Sequence, residues 1–209
     1  MNHLGLSLIN RYAEKFLWRK SIPADFETFP SYFEKLIPHQ ATVASVGKFA
    51  AGFGMVGLSP MHAAWMTQVL GNGGVSKKLR ILAENQDEDQ EEYKRVINQK
   101  TSLQLLKMMQ YTVLRGTASS IFSSTSYRRL RRVVGGKTGT LYAKDPNGLS
   151  TWFAGLMPIQ KPEVAVVALV VNKSKWVIKG SHLAAEALLL WSKYKKSQVK
   201  RLAVKSKRQ

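Results

Sequence analysis

The residues best suited to chemistry form one stretch, Val133-Val134-Gly135-Gly136-Lys137-Thr138-Gly139-Thr140. It sets one cation and two hydroxyls among three glycines. An ammonium flanked by hydroxyls suits a carboxylate, because hydrogen bonds to an ionised group are stronger than neutral ones. Glycines within a strand remove side chains, so that another backbone can approach closely. Such a strand can accept an extended peptide along its edge, main-chain bonds giving affinity and Lys137 selecting charge. Two other readings stand beside this one. A phosphate-binding loop ending in Gly-Lys-Thr would need glycine at position 131, where the chain has Arg131. An ordinary glycine-rich hairpin strand has the same local composition.

The second constellation is a serine followed three residues later by lysine, a spacing in which the amine can help activate the hydroxyl. It occurs at Ser45 and Lys48, at Ser192 and Lys195, and at Ser197 and Lys200. The last two pairs follow the glycine-rich strand and sit in a basic stretch without acids. A nucleophile at Ser45 would need to start a helix, and Gly47 inside that turn disfavours one. With no cysteines, disulfides and Cys-based metal sites are excluded. None of these motifs calls for a cofactor or metal.

The elements that must position these residues are marked by their punctuation. Ser59-Pro60 reads as a cap followed by proline at the first helical position. Met61, Ala64, Trp65 and Val69 then recur at helical spacing until Gly71-Asn72-Gly73-Gly74. A second helix is expected from Thr101, with Gln104 completing a capping box. It runs through Leu103, Leu106, Gln110 and Val113 to a left-handed cap at Gly116. Residues 132–141, 150–157 and 164–172 read as strands, joined at Asp145-Pro146-Asn147-Gly148 and around 158–162. Connections this short imply antiparallel pairing. The third strand is apolar on both alternating faces, as if covered on both sides. Ser181 should cap a last helix with Leu183, Ala184, Ala187, Leu188 and Trp191 on one apolar face. The expected fold class is α+β, an antiparallel sheet with helices packed on it.

At 209 residues and 44% hydrophobic, the chain is long enough for one domain with a real core. The net charge of +19 predicts attraction to polyanions, whether nucleic acid, acidic lipid or anionic wall polymer. No interleaved basic and aromatic patch accompanies it, so nucleic acid is expected only as a non-specific partner. Six of the 13 acids fall within residues 84–92, a solvated excursion, and the tail from 193 on is basic and expected to fray. No signal peptide is apparent at the start, and the longest apolar run, 164–171, is too short to span a membrane.

Gly-Lys-Thr-Gly-Thr is similar to the third signature of penicillin-binding proteins and serine β-lactamases. Other pieces resemble the transpeptidases in particular, and in their order. Ala50-Ala51-Gly52-Phe53-Gly54, Leu58-Ser59-Pro60-Met61-His62-Ala63-Ala64 and Gly71-Asn72-Gly73-Gly74 come first. Leu105-Leu106-Lys107-Met108-Met109, Thr112-Val113 and Gly116-Thr117-Ala118 come next, and Trp152-Phe153-Ala154-Gly155-Leu156-Met157-Pro158 last. The resemblance spans roughly residues 4–190, and Phe16-Leu17-Trp18 departs from it where the family usually has Phe-Gly.

The resemblance implies a partial transpeptidase domain over residues 1–192, helical over 1–130 and sheet plus helix over 131–192, followed by a basic tail, 193–209. It implies cross-linking of peptidoglycan stem peptides in the cell envelope, and inhibition by β-lactams. Lys137, Thr138 and Thr140 would bind the substrate carboxylate, and Gly139 lies between the two threonines. The N–H of Thr140 would form half of an oxyanion hole. The family's Ser-x-Asn occurs nowhere, and Leu4-Gly5 resembles the residues that follow it. The chain is therefore expected to begin downstream of the nucleophile, with the missing N-terminal part on another chain and Ser45 and Lys48 the nearest fit within this one. A non-reacting module that binds peptidoglycan or protein is the alternative. The full fold has five antiparallel strands, two of them from sequence before the nucleophile. The edge of 164–171 should therefore be left unpaired.

Overall fold

The first half of the chain organises around two capped helices and one ring cluster. The computed structural model describes residues 5–33, 42–54, 56–80, 94–144, 147–173 and 177–206, and the chain divides into two compact units, Met1–Asn98 and Gln99–Gln209. The acidic run at 84–92 and the turn residues Asp145 and Pro146 lie outside the described residues.

In the first unit, α1 spans Leu6–Lys15, and β1, Tyr32–Phe33, pairs antiparallel with β2, Val56–Gly57. Between those strands lies α2, Val43–Ala50, capped by the Thr42 hydroxyl, which accepts the Ser45 N–H. Gly47 was expected to weaken this helix and does not break it, since the cap offsets a glycine cost of about 1 kcal/mol. Helix α3, Pro60–Gly71, starts as expected, with Ser59 accepting the His62 N–H and proline in the first turn. Leu17, at the departure from the family pattern, has φ 56, a left-handed conformation that costs a side-chain-bearing residue roughly 1–2 kcal/mol.

Trp65 and Val69 of α3 are fully buried, and His62 lies beside them at 1% exposure. The His62 ring stands 5.5 Å from Trp18 and 5.8 Å from Trp65, and its Nε2 donates to the Phe16 carbonyl at 2.6 Å. Its Nδ1 is buried without a partner. Burial pushes the imidazole pKa below its ordinary value, and the Phe16 bond opposes this only in part. The neutral ring is the folded form, so below about pH 6.5 the unfolded chain takes up a proton that the folded chain refuses. Stability should therefore fall on acidification through that region, by at most about 1.4 kcal/mol per pH unit. Urea unfolding at pH 7.5 and pH 5.5 checks this, and His62→Gln should remove that part of the difference. A dependence that His62→Gln leaves intact would contradict it.

The second unit begins with α4, Gln99–Leu114, two residues before the expected start. Thr101 therefore lies inside the first turn rather than at the cap position expected of it. Ser102, Leu106, Met109 and Val113 form the buried face, whereas Leu103 is half exposed. Gly116 is not in the left-handed region. Its glycine is required because a Cβ there would stand 2.8 Å from Thr112 Cα. A short α5, Ser119–Phe122, follows.

Strands β3, Gly135–Lys144, β4, Asn147–Met157, and β5, Val164–Asn172, form one antiparallel sheet in the order β3-β4-β5. β3 starts three residues later than the sequence suggested, because the N–H groups of Val133 and Val134 both turn back to the Leu130 carbonyl. β5 was expected to be covered on both faces. It is half-buried along most of its length, with only Ala168 and Asn172 buried. Among the described residues it pairs only with β4.

Helix α6, Gly180–Ser206, packs on the sheet through Ala184, Ala185 and Leu188. The expected face is thus shifted, with Leu183 and Ala187 turned outward. Ser181 is buried in the first turn rather than capping it, and the Gly180 N–H donates to Thr151 Oγ1 at 2.9 Å. The stretch 193–206, expected as a frayed tail, continues the helix. Lys195 lies over Trp191 and 2.9 Å from Glu163, which ties the extension down. No helix among the described residues is long and apolar enough to cross a membrane.

Candidate functional site

The sequence places Lys137, Thr138, Gly139 and Thr140 in the first half of β3, and the sheet order makes β3 an edge. Among the described residues its only partner is β4, in the register Lys137 to Ala154, Thr138 to Phe153 and Thr140 to Thr151. Side chains alternate along a strand, so Lys137 lies on the face opposite Thr138 and Thr140. An anion lying off the edge is within reach of both faces. Lys137 and Thr140 are exposed, and Thr138 and Gly139 are half-buried. Lys137 Nζ donates to the carbonyl of Thr138, and among the described residues it forms no ion pair.

The glycines before Lys137 were expected to admit another backbone. What they admit is side chains. A Cβ on Gly136 would stand 2.2 Å from the Phe153 ring, and one on Gly135 would stand 2.4 Å from Ile159 Cδ1. Phe153 is fully buried, with the Phe122 ring 5.7 Å away, so the strand is laid down on an aromatic core that only glycine leaves room for. The physical reason is the sheet's own filling. Val134, Phe153, Met157 and Ala168 close one cluster with Ala184 and Leu188 of α6, and β3 sits over its rim.

One residue of this site stood in the sequence only as part of the Gly116-Thr117-Ala118 resemblance, with no role assigned to it. The Thr117 hydroxyl is 2.5 Å from the Thr138 hydroxyl, across 21 residues. Thr117 follows the glycine turn after α4, and a threonine in a turn declares no role by its local chemistry. Contact with β3 alone gives it a place.

Ser45 and Lys48 lie on α2, in the other unit. Ser45 is in the first turn, and its hydroxyl donates to the Thr42 carbonyl at 2.8 Å. Lys48, one turn on, is exposed. Among the described residues no group of histidines and carboxylates is arranged to hold a metal.

The sequence profile of the penicillin-binding protein transpeptidase domain matches residues 4–189. The fold is similar to a peptidoglycan glycosyltransferase from Burkholderia ambifaria, at TM-score 0.66 and 17% identity over 86% of this chain and 54% of that one. It is similar to penicillin-binding protein A of Mycobacterium tuberculosis, solved as an imipenem acyl-enzyme, at TM-score 0.66 and 17% identity over 88% and 42%. It is also similar to penicillin-binding protein 3 of M. tuberculosis bound to aztreonam, at TM-score 0.67 and 16% identity over 90% and 47%. The chain thus spans about half the length of these structures. No curated protein matches the sequence.

Proposed function

Because the chain belongs to the penicillin-binding protein transpeptidase domain family, we propose that it forms the carboxylate-binding wall of a peptidoglycan cross-linking site. Lys137 holds the terminal acid of a stem peptide, or the equivalent acid of a β-lactam. Thr138 and Thr140 donate hydrogen bonds to the same group, and Thr117 orients the Thr138 hydroxyl. Gly139 presents no side chain between them. The Thr140 N–H serves as half of an oxyanion hole, a donor worth roughly 3–4 kcal/mol of transition-state stabilisation in serine hydrolases. The observation that carries this reading is an exposed lysine without a described carboxylate partner on a strand with one free edge.

The acylated serine, in the same reading, is not Ser45. The chain has no Ser-x-Asn, and the Ser45 hydroxyl turns back on its own helix cap. Nucleophile and relay come from polypeptide outside this sequence, in the cell envelope where the family works.

Fluorescent penicillin should therefore leave the isolated chain unlabelled. Mixed with a family polypeptide bearing Ser-x-x-Lys and Ser-x-Asn but lacking the third signature, the chain should restore labelling of that partner's serine. Labelling of the isolated chain that vanishes in Ser45→Ala would overturn the assignment of the nucleophile. Restored labelling indifferent to Lys137→Ala would overturn the role of the wall.

A further inference from the structure

The excess charge is confined to one unit. Residues 99–209 hold 21 of the 32 lysines and arginines against 3 of the 13 acids, whereas residues 1–98 hold 11 against 10. From 93 to 144 there are 11 basic residues and no acid at all. Within this region a depression of about 700 Å³ is lined by Arg115, Arg131, Ser119, Ser120, Ser123, Tyr111 and Leu114. Arg131 is fixed in its wall, since its Nη2 donates to the Leu114 carbonyl at 2.6 Å. Its Nε is buried and has no partner, an arrangement that folded proteins rarely leave standing. No carboxylate is among the lining residues.

We propose that this depression binds a phosphate ester. The Arg115 guanidinium, the remaining donors of Arg131 and three serine hydroxyls offer more donors than the two oxygens of a carboxylate can engage, and the planar guanidinium of Arg115 matches phosphate oxygens in pairs. The volume exceeds that of phosphate alone, which leaves space for the esterified group against Tyr111 and Leu114. None of the lining residues belongs to the Lys137 strand.

The test uses the full chain and isothermal titration with glycerol 3-phosphate, beside sedimentation with phosphatidylglycerol and phosphatidylcholine vesicles. Arg115→Ala and Ser120→Ala change exposed side chains, and their thermal midpoints serve as a check that the fold is kept. Saturable binding of the ester that falls at least tenfold in Arg115→Ala, and less in Ser120→Ala, supports the site. So does its persistence in the doubly substituted control Lys193→Ala, Lys196→Ala, which removes more charge elsewhere. Sedimentation with phosphatidylglycerol that is lost in Arg115→Ala identifies a lipid headgroup as the source. Sedimentation indifferent to Arg115, with ester binding still dependent on it, identifies a soluble ester. No saturable binding, equal loss in the α6 control, or acetate binding as tightly as the ester overturns the proposal.

Discussion

Gly136→Ala is expected to lower the unfolding free energy by about 3 kcal/mol, at the upper end of the range for overpacked cores. The added carbon would stand 2.2 Å from Phe153, and that ring has nowhere to go. It is fully buried, with Phe122 on one side and Ala184, Ala185 and Leu188 of α6 completing the cluster. The strand must lift instead, which breaks its register with β4 around Gly155. A loss of this size should lower the thermal midpoint by roughly 6–12 °C in a chain of this length. Gly139→Ala provides the internal comparison, because its added carbon meets only Trp152 Cβ, at 3.3 Å. Phe153→Leu combined with Gly136→Ala should recover part of the loss, and the two effects should be non-additive because the groups touch. Gly136→Ala with wild-type stability would mean that β3 does not rest on Phe153.

Lys137→Ala is expected to weaken binding of a stem peptide with a free terminal carboxylate by ten- to a hundredfold. A charge-assisted hydrogen bond contributes roughly 1.5–3 kcal/mol, and each 1.4 kcal/mol is a factor of ten. Exposure pulls the effect toward the lower figure, and salt should reduce it further, since the Debye length is about 8 Å at physiological ionic strength. The same peptide ending in an amide should bind wild type and variant equally weakly. That comparison separates loss of the charge pair from loss of the strand, which the amide would also feel. An amide that distinguishes the two proteins as strongly as the acid does would remove Lys137 from the role of carboxylate receptor. Lys137 is exposed on an edge strand, so its truncation should leave folding intact, in contrast to its neighbour Gly136.

The two substitutions separate what each residue of the Gly-Gly-Lys-Thr-Gly run contributes. The glycines set how closely the strand lies on its core, and the lysine faces outward from it. From the sequence, all were attributed to the approach of a ligand. Two of the three glycines are explained by packing from beneath, by Ile159 and Phe153, before any ligand is considered.

What the sequence determined by itself was local. The Ser59 cap and Pro60 start of α3, the three strands and their antiparallel order all follow from short-range chemistry, because hydroxyl caps, proline geometry and brief connections act within a few residues. Fold class followed from the order of those elements. The family could be read because its motifs keep their order along the chain. What only the tertiary structure decided involves partners distant in sequence. Thr117 meets Thr138 across 21 residues, and His62 meets Phe16 across 46. Periodicity assigned Leu183 to the apolar face of the last helix, and the structure turns it outward. The orientation of an amphipathic helix is fixed to within one residue only by the surface it packs on. The tail from 193 on reads as free from its charge alone. In the structure it continues α6, and Lys195 on it reaches Glu163, 32 residues earlier, and Trp191, one turn before it.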